Sequence, residues 1–461
     1  RAVDHGANRA LGDLPADGHA FLVHLAAGDR QHLPKLAPRM RAFGDLAIEL
    51  ALRAQSKPAL EILTGTFIEN GYAEEIYGSL YHAIESGENI GAKAAAVNRL
   101  LDGYMFRTND QVESMRRAFA EAASLDPGHA LANYEHGLEL TTLGDYQDAR
   151  RAFLSVLHTD PSYGNKLANL VEALNKNEGV NQKLEALLAY QNSLVELSRS
   201  HAAEAELLLH QALTHDPHFS EAHLILGYIL ASRGDFDGAK EAVKQYVHES
   251  HAPDWSTYLE IVLIAAEHNA RTIVMEMLDV YHRNNPAAHL VYDSFFKAAN
   301  TNGDIENAAA SIRALHEGIE MLRHDRQKAA SDAFARSVEL DPLNTLARLE
   351  LGLQQAIQND PTAAIEGLKF AMEQYSEYQK VLQYLLHDLE NNADLKASLP
   401  SVQSYLHGVF AQSHGKKAEA TEAFEKAKQL DTRLNIIPWD ADSDHDFFYQ
   451  QDKSLPEENK D

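Results

Sequence analysis

Cysteine is absent from all 461 residues. That excludes a disulfide framework, thiolate-bound zinc or iron–sulfur clusters, a thiol nucleophile and covalent c-type haem. Positive charge is scarce, with 41 Lys and Arg against 68 Asp and Glu, for a formal net charge of −27. A broad nucleic-acid surface needs a basic footprint, and docking on anionic lipid needs basic clusters, so both are disfavoured. No stretch approaches the ~20 consecutive apolar residues of a membrane span. No Asn-x-Ser/Thr sequon occurs, so N-glycosylation is not expected. What is present is ordinary for a folded chain: 45% hydrophobic and 24% charged residues. The length corresponds to about three domains of ~150 residues. The chain begins at Arg1 without the n-region and h-region of a signal peptide. With the missing thiols, this points to an extracytoplasmic setting, secreted or periplasmic, while a cytoplasmic one stays open.

A repeat runs through the chain. Asp126-Pro127 and Asp160-Pro161 lie 34 residues apart, and the ending recurs at Asp216-Pro217 and Asp341-Pro342. Leu430-Asp431-Thr432 is a version without proline. The run from Gly144 to Phe153 is echoed from Gly234 to Val243 and from Gly415 to Phe424. A further glycine precedes each of these runs, at Gly137, Gly227 and Gly408, with Gly103, Gly318 and Gly352 in the same place of other units.

These features resemble the tetratricopeptide repeat, a helix–turn–helix unit of about 34 residues. The family pattern has small residues at the eighth, twentieth and twenty-seventh places, a large apolar residue at the twenty-fourth and proline at the thirty-second. In the unit from Ala130 these are Gly137, Ala149, Val156, Phe153 and Pro161. Other units supply Gly318, Ala330, Ser337 and Phe334, then Gly352, Ala364, Ala371 and Leu368, then Gly408, Ala420, Ala427 and Phe424. The unit ending at Pro127 keeps Gly103, Phe119 and Ala122 but has Met115 where alanine is expected. Small residues let two antiparallel helices approach, and proline stops one helix and pre-sets the next. No single unit can bury its apolar face alone, so neighbours must stack. The resemblance implies an all-α, right-handed superhelical solenoid. The expected organisation is an irregular N-terminal segment at 1–34, degenerate helical repeats at 35–95, and clear repeats at 96–253. Degenerate repeats follow at 254–308, then clear repeats at 309–432, and an acidic, aromatic tail at 433–461. Within 254–308, helical pairs are expected, the second running from Ala287 to Ala299 and from Ile305 to Leu315 around the turn Gly303-Asp304.

Catalytic motifs are missing: there is no nucleophile elbow, phosphate loop, dinucleotide-binding loop or H-E-x-x-H. No enzyme is predicted. His210, His215, His218 and His223 form the densest histidine cluster, around Pro217; surface histidines at a solvent-facing turn explain it better than a transition-metal site. His248 and His251 are read the same way. Asp440, Asp442, Asp444 and Asp446 alternate as in the start of a calcium loop. His445 replaces the turn glycine and Gln451 the closing acid, so a solvated acidic tail is favoured over calcium; no other cofactor is expected. In the same tail, Ile437, Trp439, Phe447, Phe448 and Tyr449 form two apolar clusters, suited to capping the open end of the solenoid or docking on another chain.

In the resembled family the first helix of each unit lines a concave groove. The positions so implied include Tyr134, Leu138, Leu224, Tyr228, Ile319, Leu349, Leu353 and Tyr405. They lack the Lys, Asn and Arg with which some members clamp a peptide carboxylate. The expectation is therefore a non-enzymatic scaffold for protein–protein interaction. It either assembles head to tail with its own copies, into an oligomer or filament, or grips a partner peptide. A calcium- or small-ligand-binding module is the alternative.

Overall fold

A computed structural model describes residues 33–69, 72–251, 253–301, 303–323 and 326–436. These residues are overwhelmingly helical, with no strand among them. No described helix is long and apolar enough to cross a membrane. By internal contacts the described residues divide into two compact units, those up to 233 together with 241–253, and 234–240 together with those from 254 on. The division passes through the helix Phe236–Glu249.

Both units are stacks of antiparallel helical hairpins. In the first, Gly91–Thr108 pairs with Val112–Leu125, Ala130–Leu143 with Tyr146–Thr159, and Val180–Ser198 with Ala202–His215. In the second, Ile305–Arg323 pairs with Gln327–Leu340, Thr345–Ile357 with Pro361–Gln374, and Ser398–Ser413 with Lys417–Leu430. The intervening stretches are helical too, with Leu33–Leu52, Ser56–Glu69 and Tyr72–Ser86 before the first clear hairpin. One expectation changes. The helix beginning at Ile305 continues to Arg323 and makes its main hairpin with the helix after it, not with His289–Asn300. Gly303-Asp304 thus joins two repeats, with the Asp304 carboxylate accepting the Asn307 N–H at 2.9 Å.

The repeat signature has a direct steric cause. A Cβ added at Gly103, Gly318 or Gly408 would lie 2.3–2.4 Å from a ring carbon of Phe119, Phe334 or Phe424. In these units the eighth place carries no side chain, which leaves room for the phenylalanine at the twenty-fourth in the hairpin seam. Phe119, Phe153 and Phe334 are completely buried. The Asp-Pro endings also earn their spacing: the carboxylates of Asp160, Asp216 and Asp341 accept the backbone N–H two residues on, at 3.0–3.1 Å. That closes a turn just where proline has ended the helix. Between the two helices of a hairpin, Gly144 adopts φ 81°, a left-handed conformation that a side chain would strain.

Gly318→Ala should therefore destabilise the chain by about 1–3 kcal/mol through overpacking against Phe334. Gly65→Ala, where an added Cβ meets nothing within 4 Å, should be stabilising by about 0.5–1 kcal/mol as a helix-interior replacement. Urea-unfolding midpoints of the two variants check both signs; similar shifts would refute the seam explanation.

Candidate functional site

The expected groove positions prove to be largely interior. Tyr134, Leu138, Leu224, Tyr228, Leu349, Leu353 and Tyr405 are all 0–6% exposed. Tyr134, for instance, packs its ring on Phe153 and Tyr163, and its hydroxyl accepts a hydrogen bond from the Gln191 side chain. In short hairpins the apolar residues of the first helix are consumed by stacking on the neighbouring unit, which leaves little of them at a surface. Ile319 differs: it is half-buried and opens onto a cavity.

That cavity lies inside the second unit and has a volume of about 610 Å³. Its apolar wall is built by Ile319 and Leu322 from the helix Ile305–Arg323, Leu406 and Phe410 from Ser398–Ser413, and Ala423 and Leu430 from Lys417–Leu430. Phe410 is held in place from behind. Its ring lies 4.4 Å from the His414 ring and 5.4 Å from the His316 ring. Nε2 of each histidine lies 3.0 Å from the Tyr292 hydroxyl, which donates to one and accepts from the other. This locked triad makes the wall a preformed surface.

The rim is polar: Gln403, Ser404, His407, Glu419, Glu422 and Lys426. His407 Nε2 meets Glu419 Oε1 at 3.1 Å. On the inner side the cavity reaches Glu350, from the helix Thr345–Ile357. Glu350 is only 7% exposed, and desolvation pushes its carboxyl up to about 8. Near neutral pH it is mostly uncharged. Sequence reasoning passed over it: Glu350 is one of 68 acidic residues and stands two residues from Arg348, so nothing in the local pattern marks it. A buried carboxyl on a cavity wall is uncommon unless paired or functional.

The other expected sites lie elsewhere. Among the described residues no group of three or more His, Asp or Glu is placed to hold a metal ion. The histidines around Pro217 turn to separate partners: His215 to Glu185 at 3.2 Å, His218 to Glu249 at 3.1 Å, and His223 to the Pro217 carbonyl at 2.9 Å. His210 reaches Glu206 at 3.8 Å, so the four do not converge. Asp440, Asp442, Asp444 and Asp446 lie outside the described residues, as do Ile437, Trp439, Phe447, Phe448 and Tyr449.

A family comparison agrees with the hairpin geometry over part of the chain. Residues 196–259 match the tetratricopeptide repeat family. No curated protein sequence matches the chain significantly. Among solved structures, the tetratricopeptide domain of P58(IPK) is similar over 87% of this chain and all of its own, with 13% identity and a TM-score of 0.23. Yeast Tom70 is similar over 86% of this chain and 85% of its own, with 16% identity and a TM-score of 0.19. Naa15/Naa10 bound to HypK-THB covers 86% of this chain and 64% of its own, at 13% identity and a TM-score of 0.21. At such scores these likenesses carry no argument about a partner.

Proposed function

Because the chain is a tetratricopeptide-repeat protein, we propose that it is a non-enzymatic scaffold that holds a segment of a partner protein in the cavity of its second unit. The observation that carries this reading is the cavity itself. It combines a preformed apolar wall at Ile319, Leu322, Leu406 and Phe410 with a polar rim, the composition of a site that binds an amphipathic segment rather than a purely apolar one. Head-to-tail self-assembly through the tail is the competing version of the same scaffold role.

Ser404 stands half-exposed at the mouth of the cavity, so Ser404→Trp should plug it without disturbing the core. Peptides selected from a random library on the full chain should lose at least tenfold in affinity for that variant and none for Asp148→Asn, on an exposed surface of the first unit. Selected peptides that bind both variants as well as the parent would refute the assignment. In parallel, light scattering should give the mass of one chain; a larger particle that falls to one chain when 437–461 is removed would favour self-assembly instead.

A further inference from the structure

Two pairs of neighbouring repeats can be laid over one another residue by residue, because both are offset by 34 residues: the units from Ala96 and Ala130, and those from Ser311 and Thr345. Glu135 and Glu350 are then the same residue of the repeat, the sixth. In the first pair this acid is met from the preceding unit by its ninth and twelfth residues. Tyr104 donates its hydroxyl hydrogen to Glu135 Oε1 at 3.0 Å, and Arg107 Nη2 donates to Oε2 at 2.7 Å. The guanidinium also sits 4.9 Å from the centre of the Phe119 ring. In the second pair the ring is retained as Phe334, but the ninth and twelfth residues are Ile319 and Leu322. Both are walls of the cavity. Neither can donate a hydrogen bond, and no hydrogen bond or ion pair reaches the Glu350 carboxyl among the described residues. The acid has been kept, its cation removed, and a cavity stands where the cation was.

We propose that this cavity receives one arginine side chain of the partner segment, whose guanidinium takes up against Glu350 the position that Arg107 holds against Glu135. This rests on the cavity being the partner site. Three further features suit that occupant. The volume of about 610 Å³ admits a long side chain with part of its backbone. Ile319, Leu322, Leu406 and Phe410 offer an apolar sleeve for the methylene stem. The planar guanidinium is less strongly hydrated than an ammonium and pairs with a carboxylate through two parallel hydrogen bonds. Around the mouth, Glu419 and Glu422 add negative charge, against Lys426 and His407 on the same rim and the neutral Gln327 from the helix Gln327–Leu340. The net charge of −27 draws a basic segment in over a longer range. Arrival of the cation favours the ionised carboxylate, so binding near neutral pH should release a proton and tighten as pH rises from 6 to 8.

The test uses three peptide libraries with a fixed central residue, arginine, lysine or the uncharged arginine isostere citrulline, offered to the full chain. Arginine-centred peptides should bind at least tenfold tighter than their citrulline twins. Glu350→Gln should abolish that ratio. Leu322→Arg, which restores the guanidinium of the first pair within the chain, should abolish it too. Equal binding of arginine and citrulline peptides, lost on Ser404→Trp, would overturn the arginine assignment and leave the cavity as the partner site. Absence of binding by all three libraries would overturn both. A lysine preference over arginine would overturn the guanidinium geometry. Titration in buffers of different ionisation enthalpy reads the released proton, and none in the parent chain would count against Glu350.

Discussion

Glu350→Gln is expected to stabilise the folded chain, and to do so far more at pH 8 than at pH 5. The carboxyl is buried without a counter-charge, and desolvation raises it from 4.5 to about 8 in the folded state. Between those two values the folded chain binds more protons than the unfolded one, so stability falls as pH rises and levels off above the upper value. The glutamine variant has nothing to titrate there. The gap between the two chains should widen by roughly 3 kcal/mol from pH 5 to pH 8, at about 1.4 kcal/mol per pH unit less the rounding near each end. Hydrogen exchange of the helix Thr345–Ile357 at the two pH values reports the change locally. Parallel pH profiles would show that the carboxyl already has a partner, and would remove the basis for an arginine receptor. The expected gain is itself informative. A residue that weakens its own fold at neutral pH is the kind that function retains.

Much of this was legible in the sequence, and the part that was not has a physical reason. The hairpins follow from local patterns: the Asp-Pro endings, the glycine at the eighth place and the phenylalanine at the twenty-fourth. Each of those acts within one repeat, where sequence spacing and spatial contact are nearly the same thing. The Gly318–Phe334 seam is a fair example, with its close approach implied by residue types alone. The site is different. Whether Leu349 or Leu353 faces a groove or a neighbouring unit depends on how successive hairpins stack, and in the structure both are completely buried. The expected pairing of Ala287–Ala299 with Ile305–Leu315 rested on an apolar spacing that either neighbour satisfies, whereas the Gly318–Phe334 seam already places Ile305–Arg323 against the helix after it. Glu350 was overlooked because, in a chain with 68 acidic residues, a single carboxyl carries no signal. It becomes visible only beside Glu135, once both are placed on the same repeat register and the Arg107 partner of one is seen to be absent from the other.

The contrast between those two acids yields the second large effect. Arg107→Leu makes the first pair of repeats like the second, and is expected to cost about 3–5 kcal/mol, the usual penalty for stranding one member of a buried ion pair. Glu135 is completely buried and would be left with the Tyr104 hydroxyl as its nearest described donor from the preceding unit. Arg107 also lies 3.6 Å from Glu139, so part of the loss falls on that second acid. Adding Glu135→Gln should recover most of the stability, because the glutamine needs no counter-charge and can still accept from Tyr104. The reverse substitution completes the argument. Leu322→Arg should stabilise the parent chain and have no such benefit in the Glu350→Gln background. A coupling of at least about 1 kcal/mol in that double-mutant cycle, measured by urea unfolding, is what a direct pair requires. If Leu322→Arg instead destabilises both backgrounds equally, the twelfth residue does not reach the sixth across these repeats, and the registers of the two pairs are not equivalent. The two cycles together ask whether one interaction, an acid of one repeat held by a cation of the repeat before it, can be emptied at one end of the chain and filled at the other.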